Sequence, residues 1–229
     1  MGTIDHTLDV LERAREKSDH CAVGFSGGKD SAVTLDLCTR IFSKVSCFTF
    51  VFARGLGVMR EVIDYPSKRY GIEKSIEMLD PRAGMARKSG WYCDTNELTD
   101  EIPDMSIVDG YRAAMGLLGA GVVVCGAKES DGVWRRQMLK KKAHNPDWLI
   151  YPILKWTKYD IAGYSATRSL SAVVGGVNGR CFGVDLLAKD LLWLHDNHPD
   201  DFDILEKSFP YIRTVVKRRE FFGEQRQTD

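Results

Sequence analysis

The sequence predicts an α/β protein, a doubly wound and mostly parallel sheet with a helical C-terminal extension. Three observations carry that prediction. Short apolar runs without polar alternation recur through the first two thirds of the chain, as in strands buried on both faces. Stretches with apolar residues at helical spacing lie between them, so strand and helix alternate. The composition is globular: 229 residues, 44% hydrophobic and 28% charged. No apolar run approaches the ~20 residues of a membrane-spanning helix.

Taken in order, Thr7 to Lys17 is a helix with Leu8, Val10, Leu11 and Ala14 on its apolar side. Cys21 to Phe25 is a short apolar strand, followed by Ser26-Gly-Gly-Lys-Asp-Ser31 and a helix from Ala32 to about Phe42. Val45 to Phe52 is the second strand. The helix from Val58 to Tyr70 ends at Gly71, a fitting C-cap. A third strand falls near Ile72 to Leu79, and Asp80 to Asp104 is loop-rich. A helix around Val108 to Leu118 leads into the apolar strand Gly121 to Cys125. Trp134 to Lys142 is helical, Ile150 to Leu154 is a strand or an extended segment, and Asp160 to Ser169 is a further helix. Gly175 to Gly179 is a turn and Val184 to Asn197 an amphipathic helix. With no repeat or low-complexity linker, the chain divides into an α/β domain over residues 1–165 and a helical extension over 166–229 packed on it.

Charge and thiols exclude several classes. Lys plus Arg and Asp plus Glu both number 32, so the chain is no electrostatic blanket for nucleic acid, although a local basic patch remains open. The charged, amphipathic N-terminus is unlike a signal peptide, and a cytoplasmic, reduced protein without membrane contact is expected. None of the six cysteines forms C-x-x-C. Cys21, Cys47 and Cys125 lie in strands, where free Cys behaves as a small hydrophobe. His195 and His198, with Asp196, Asp200 and Asp201 nearby, have ligand-like spacing, but Pro199 marks a helix stop and the acids read as a solvated turn, so no metal site is assigned. Arg213, Lys217, Arg218 and Arg219 read as a solvated basic face, and Leu186, Leu187, Leu191, Leu192 and Leu194 as core packing or a subunit interface.

The chemistry concentrates in Ser26-Gly27-Gly28-Lys29-Asp30-Ser31, between a strand and a helix. Small residues there let successive N–H groups face a phosphate, with the positive helix N-terminus behind them. Ser26 and Ser31 add hydroxyl donors, and Lys29 adds a charge. Asp30 does not suit a bare phosphate, so it reads as a cap, a Mg²⁺ partner or a loop brace. The loop is one residue short of Walker A, with Asp30 where a hydroxyl must hold magnesium, and the dinucleotide G-x-G-x-x-G is absent. A second segment, Gly126-Ala-Lys128-Glu-Ser-Asp131-Gly132-Val-Trp-Arg135-Arg136, follows a buried strand and so emerges at the same C-terminal edge of the sheet. Arg135 and Arg136 offer bidentate contacts to phosphate or sulfate, or else form a solvated basic helix start.

SGGKDS resembles the PP-loop of the adenine-nucleotide α-hydrolase-like superfamily, and most closely the phosphoadenylylsulfate (PAPS) reductase family within it. Gly126, Lys128, Asp131 and Arg135 are similar to that family's G-x-R-x-x-(E/D)-S-x-x-R stretch, with Gly132 in place of the Ser. Tyr151-Pro152 to Ile161, with Trp156, Thr157 and Asp160, is similar to its P-(I/L)-x-x-W-(S/T)-x-x-D-(V/I) stretch. The resemblance spans roughly residues 15–165. It implies a Rossmann-like fold binding ATP or a related adenine nucleotide with Mg²⁺, through Ser26, Gly27, Gly28, Lys29, Asp30, Ser31, Gly126, Lys128, Asp131, Arg135 and Arg136. Lys29, Asp30 and Arg135 would be the catalytic set. It also implies that the end of the second strand, Val51 to Gly57, meets the nucleoside, where Arg54 replaces a common acidic residue. The implied reaction adenylates an acceptor with pyrophosphate release, in nucleic-acid modification or sulfur transfer. The family's reductases carry E-C-G-(I/L)-H near the C-terminus. This sequence has no Cys after Cys181 and no paired thiols, so neither that reduction nor an iron–sulfur cluster is expected. Two alternatives stand beside this: a sulfonucleotide oxidoreductase using an external thiol, and a non-catalytic nucleotide-binding scaffold. The acceptor is open, as is assembly with a second copy or a partner subunit.

Overall fold

Five strands form one sheet in a computed structural model that describes residues 3–95, 105–141, 146–170 and 184–223. They are β1 (His20–Gly24), β2 (Lys44–Val51), β3 (Ser75–Leu79), β4 (Val122–Cys125) and β5 (Leu149–Ile150). All pair in parallel, in the order β3-β2-β1-β4-β5. The alternation of side chains across a strand splits the core in two. Cys21, Val23, Val122 and Val124 join the larger cluster on one face, while Ala22, Val123 and Cys125 join a smaller one on the other. Both faces are covered, which is why these strands read as unbroken apolar runs.

The described helices are α1 (Thr3–Lys17), α2 (Lys29–Ile41), α3 (Arg60–Tyr70), α4 (Pro81–Lys88), α5 (Ile107–Leu118), α6 (Val133–Lys140), α7 (Lys158–Thr167), α8 (Ala188–Asn197), α9 (Pro199–Ser208) and α10 (Arg213–Phe222). Leu11 of α1, Leu35 of α2, Val62 of α3 and Ile161 of α7 pack into the larger cluster, and Ala114 and Leu118 of α5 into the smaller. Buried Asp36 of α2 ties three helices together. It accepts from Tyr70 Oη (3.1 Å), Tyr164 Oη (2.8 Å) and Arg168 Nε (3.1 Å).

The helix expected from Val184 begins only at Ala188, and three further elements differ from the expectation. The segment from Asp80, expected as loop, opens with helix α4. Asp80 caps it by accepting from the Arg82 N–H at 2.8 Å, and Pro81 fits its first turn. Its buried side is only Pro81, Ala83 and Ala86, too weak a stripe to read as helical periodicity. The extended stretch around Ile150 contributes only Leu149 and Ile150 to the sheet before the chain turns. Pro199 does stop α8, but it also starts α9, the other use of a proline at a helix boundary. The turn expected at Gly175–Gly179 and the late thiol Cys181 lie outside the described residues.

Leu191 and Leu194 of α8, Phe202 and Leu205 of α9, and Phe209 and Ile212 beyond it belong to the same cluster as β1 and α2. Leu186, Leu191 and Leu194 are thus core residues, whereas Leu187 is 42% exposed. Cys21, Cys38, Cys47 and Cys125 are buried free thiols, as strand and helix packing predicts. Among the described residues, no helix is long and apolar enough to cross a membrane.

Candidate functional site

From β1 the chain steps outward through β2 to β3, and β4 and β5 lie on the other side of β1. The loops leaving β1 and β4 therefore flank the topological switch point of the sheet, the position where parallel sheets bind ligands. Both motif loops emerge there.

The first loop is shaped by its glycines and one serine. Gly27 has φ 77°, and a Cβ on it would lie 2.8 Å from Val62 Cγ2, so conformation and space both demand glycine. Ser31, 5% exposed, donates from Oγ to the Gly28 carbonyl at 2.8 Å and accepts from the Ser26 N–H at 3.3 Å. Its hydroxyl thus braces the loop from inside, whereas Ser26 and Lys29 are exposed. Gly28 caps α2 without any side-chain hydrogen bond. Among the described residues, the N–H groups of Gly27, Gly28, Lys29 and Asp30 have no acceptor, leaving an open helix N-terminus suited to an anion.

Asp30 and the second loop meet through Lys128. The lysine is 3% exposed, with Nζ 2.5 Å from Asp30 Oδ2 and 2.9 Å from Asp131 Oδ1. Asp131 also accepts from the Lys128 N–H at 3.2 Å. Lys128, matched by sequence to a phosphate-binding arginine, is here a bridge between two carboxylates. The other oxygen of Asp30, Oδ1, is buried without a hydrogen-bond partner. Gly126 lets β4 run close to α2: a Cβ would lie 2.8 Å from Thr34 Oγ1 and 3.0 Å from the Asp30 carbonyl.

The third motif frames the second loop. Glu129 N–H donates to the Leu154 carbonyl (2.9 Å), Ser130 Oγ to the Trp156 carbonyl (2.9 Å), and Lys155 pairs with Glu129 at 2.8 Å. Trp156 is buried, its Nε1 donating to Thr7 Oγ1 at 2.7 Å. Thr157 and Asp160 form a capping box that starts α7, and the Thr157 N–H and hydroxyl hold the Asp160 carboxyl below its ordinary range. The W-T-x-x-D spacing is accounted for by packing and capping.

Arg135 and Arg136, in the first turns of α6, are exposed and make no salt bridge among the described residues. Arg135 acts electrostatically on Tyr111 and Tyr151, which approach Cys125 at the end of β4. Burial pushes the Cys125 thiol up to about 12 and raises Tyr111 and Tyr151 too. This wall carried no motif, and only the apolar context of Cys125 hinted at it.

The loop after β2 is held by two carboxylates. Gly55 N–H donates to Glu77 Oε1 at 3.0 Å, while the Gly57 and Val58 N–H groups donate to Asp201 at 2.7 and 2.8 Å. Asp201, expected in a solvated turn, is only 6% exposed, and sequence distance hid its partners. Arg54 is exposed. His195 pairs with Asp196 at 3.0 Å, and the Arg219 guanidinium beside Asp196 holds its carboxyl well below the ordinary range. His198 lies against the Trp193 ring. Among the described residues, no three His, Cys, Asp or Glu side chains converge as a metal set.

A glycine loop feeding an uncapped helix at the switch point of a parallel sheet defines a Rossmann-like protein with an anion-suited loop. The family model for the phosphoadenosine phosphosulfate reductase domain matches residues 20–173, and the chain belongs to that family. Among solved structures, the chain is similar to the U34-tRNA thiolase NcsA from Methanococcus maripaludis with its [4Fe-4S] cluster. The identity is 17% and the TM-score 0.46, over 99% of this chain and 85% of that one. It is also similar to the NH3-dependent NAD synthetase from Campylobacter jejuni, at 14% identity and TM-score 0.48, over 100% of both chains. Comparison with curated proteins finds no match.

Proposed function

We propose that the protein binds ATP or a related adenine nucleotide at the switch-point crevice and adenylates an acceptor, releasing pyrophosphate. The observation that carries this reading is the uncapped N-terminus of α2 behind Gly27 and Gly28, with Lys29 exposed beside it. An acceptor oxygen attacks the α-phosphorus, the bond to the bridging oxygen breaks, and the electron pair leaves with pyrophosphate. The loop N–H groups and Lys29 stabilise the charge growing on that leaving group, a preorganised electrostatic effect of the kind that dominates many enzymes. Arg135 and Arg136 extend the positive wall along the same edge. The buried, unpartnered Asp30 Oδ1 fits a hard divalent cation held by one carboxylate and by substrate phosphates, the usual habit of Mg²⁺. Bound there, Mg²⁺ would neutralise phosphate charge as a Lewis acid. The adenylated acceptor, from nucleic acid or sulfur metabolism, is then open to displacement by sulfur or nitrogen.

The family match favours one second reading, a sulfonucleotide oxidoreductase. Cys125 directly precedes Gly126 of the second motif loop, but it is 5% exposed and poorly ionised. The reductant in that case is an external thiol. Calorimetric titration separates the two readings: ATP with Mg²⁺ binds under the first, PAPS but not ATP under the second. Lys29→Ala removes a charge-assisted contact and should weaken ATP binding about ten- to a hundredfold. Pyrophosphate release with candidate acceptors should fall with it. Tight nucleotide binding without turnover for any acceptor, with a stably bound protein partner, would leave a scaffold instead.

A further inference from the structure

The helices that follow β1 and β2 both turn their N-termini to the C-terminal edge of the sheet, and these two ends differ. That of α2 is open, whereas the turn Gly57–Met59 leading into α3 is capped by a carboxylate from a distant helix. Asp201 of α9 places Oδ1 2.7 Å from the Gly57 nitrogen and Oδ2 2.8 Å from that of Val58. It stands 144 residues along the chain from Gly57 and is 6% exposed. Phe209, just beyond α9, packs its ring 6.3 Å from Phe52 at the start of the same loop. The absence of a side chain at residue 57 is part of the fit, since a Cβ there would lie 3.3 Å from Asp201 Oδ1.

The consequence is a polarity. An open helix N-terminus attracts phosphate, while one already holding a carboxylate repels it. Within the loop, the N–H groups of Gly55, Gly57 and Val58 are held by Glu77 and Asp201. Among the described residues, those of Ala53, Arg54 and Leu56 have no acceptor, and of the three residues only Arg54 is exposed.

We propose that Asp201 is a positioning residue that orients the nucleotide, closing the α3 end of the crevice to phosphate and fixing the loop over residues 53–58 for the base. The inference rests on the nucleotide reading above and adds the C-terminal helices to the site. Among the described residues, the Asp201 carboxylate hydrogen-bonds to backbone N–H groups of the loop and so acts through it.

The test compares ATP with inorganic tripolyphosphate, which carries the charge but no base, on the full chain. The wild type should prefer ATP. In Asp201→Asn, which keeps the shape and removes the charge, ATP affinity should fall about five- to tenfold while tripolyphosphate binds as well or better. Gly57→Ala, which presses on the same carboxylate while leaving the sequence of α9 unchanged, should shift the ratio in the same direction. Amide exchange at Gly57 and Val58 should quicken in both variants, with the thermal midpoint reporting that each is folded. An unchanged ATP-to-tripolyphosphate ratio in the two folded variants overturns the role. So does an equal loss for both ligands, which would mark Asp201 as structural only. A wild type that binds tripolyphosphate but shows no preference for ATP would instead sink the nucleotide reading itself.

Discussion

Lys128 is the most constrained charge in the site, an ammonium 3% exposed and shared between Asp30 and Asp131. The two carboxylates are partly open to solvent, with side chains 26% and 37% exposed, which moderates the interaction. Removing the lysine leaves two like charges facing each other beside an already unpartnered oxygen. Lys128→Met should therefore destabilise the fold by about 2–4 kcal/mol in denaturant unfolding, toward the lower range for breaking a buried pair. Adding Asp30→Asn should recover part of that loss. A double variant no more stable than Lys128→Met would show that Asp30 is not what the lysine compensates. At this scale the sequence was legible where the backbone sets the loop geometry. Gly27 and Gly126 announce close approach, and Lys29 follows Gly28 in the same loop. Ser31 and Lys128 were harder to read, because a hydroxyl or ammonium gives no sign of whether it faces a ligand or a neighbouring loop.

Among the elements, α2 has two roles: its N-terminus faces the crevice, and its middle anchors α3 and α7 through Asp36. Burial pushes the Asp36 carboxyl up. The hydrogen bonds from Arg168, Tyr164 and Tyr70 outweigh burial, so its pKa lies below the ordinary carboxylate value. A carboxyl depressed in the folded state contributes stability above its unfolded pKa of about 3.9, and that stability is lost as pH falls through the folded value. The acid limb of the stability–pH curve should thus steepen below about pH 4. Asp36→Asn should lower the midpoint at neutral pH and flatten that limb. If the variant's acid limb matches the wild type's, other carboxylates govern acid unfolding. The strands were readable because burial on both faces makes each one a continuous apolar run. Helix α4 was hidden because it buries little more than alanines, and α9 because its proline reads equally as an end or a beginning.

At the scale of the whole molecule, the net charge of zero includes exposed cations just after β1 and β4, namely Lys29 at the start of α2 and Arg135 and Arg136 in α6. The boundary expected near residue 165 does not divide the hydrophobic core. Leu191, Leu194, Phe202, Leu205, Phe209 and Ile212 are each at most 1% exposed and share the cluster of β1 and α2. Fully burying such side chains contributes about 1.5–3 kcal/mol apiece, so six together are worth roughly 9–18 kcal/mol, as much as a typical domain's entire stability of about 5–15 kcal/mol. We propose that the C-terminal helices are an integral part of the fold. The intact chain should unfold in one calorimetric transition whose calorimetric and van't Hoff enthalpies agree. Residues 1–165 alone should lack a cooperative transition and bind a dye for exposed apolar surface. Two resolved transitions in the intact chain, with nucleotide raising only one of them, would instead make the extension an autonomous unit. A single transition raised as a whole by nucleotide is the expected result, because the capped loop over residues 53–58 joins the ligand crevice to those same helices.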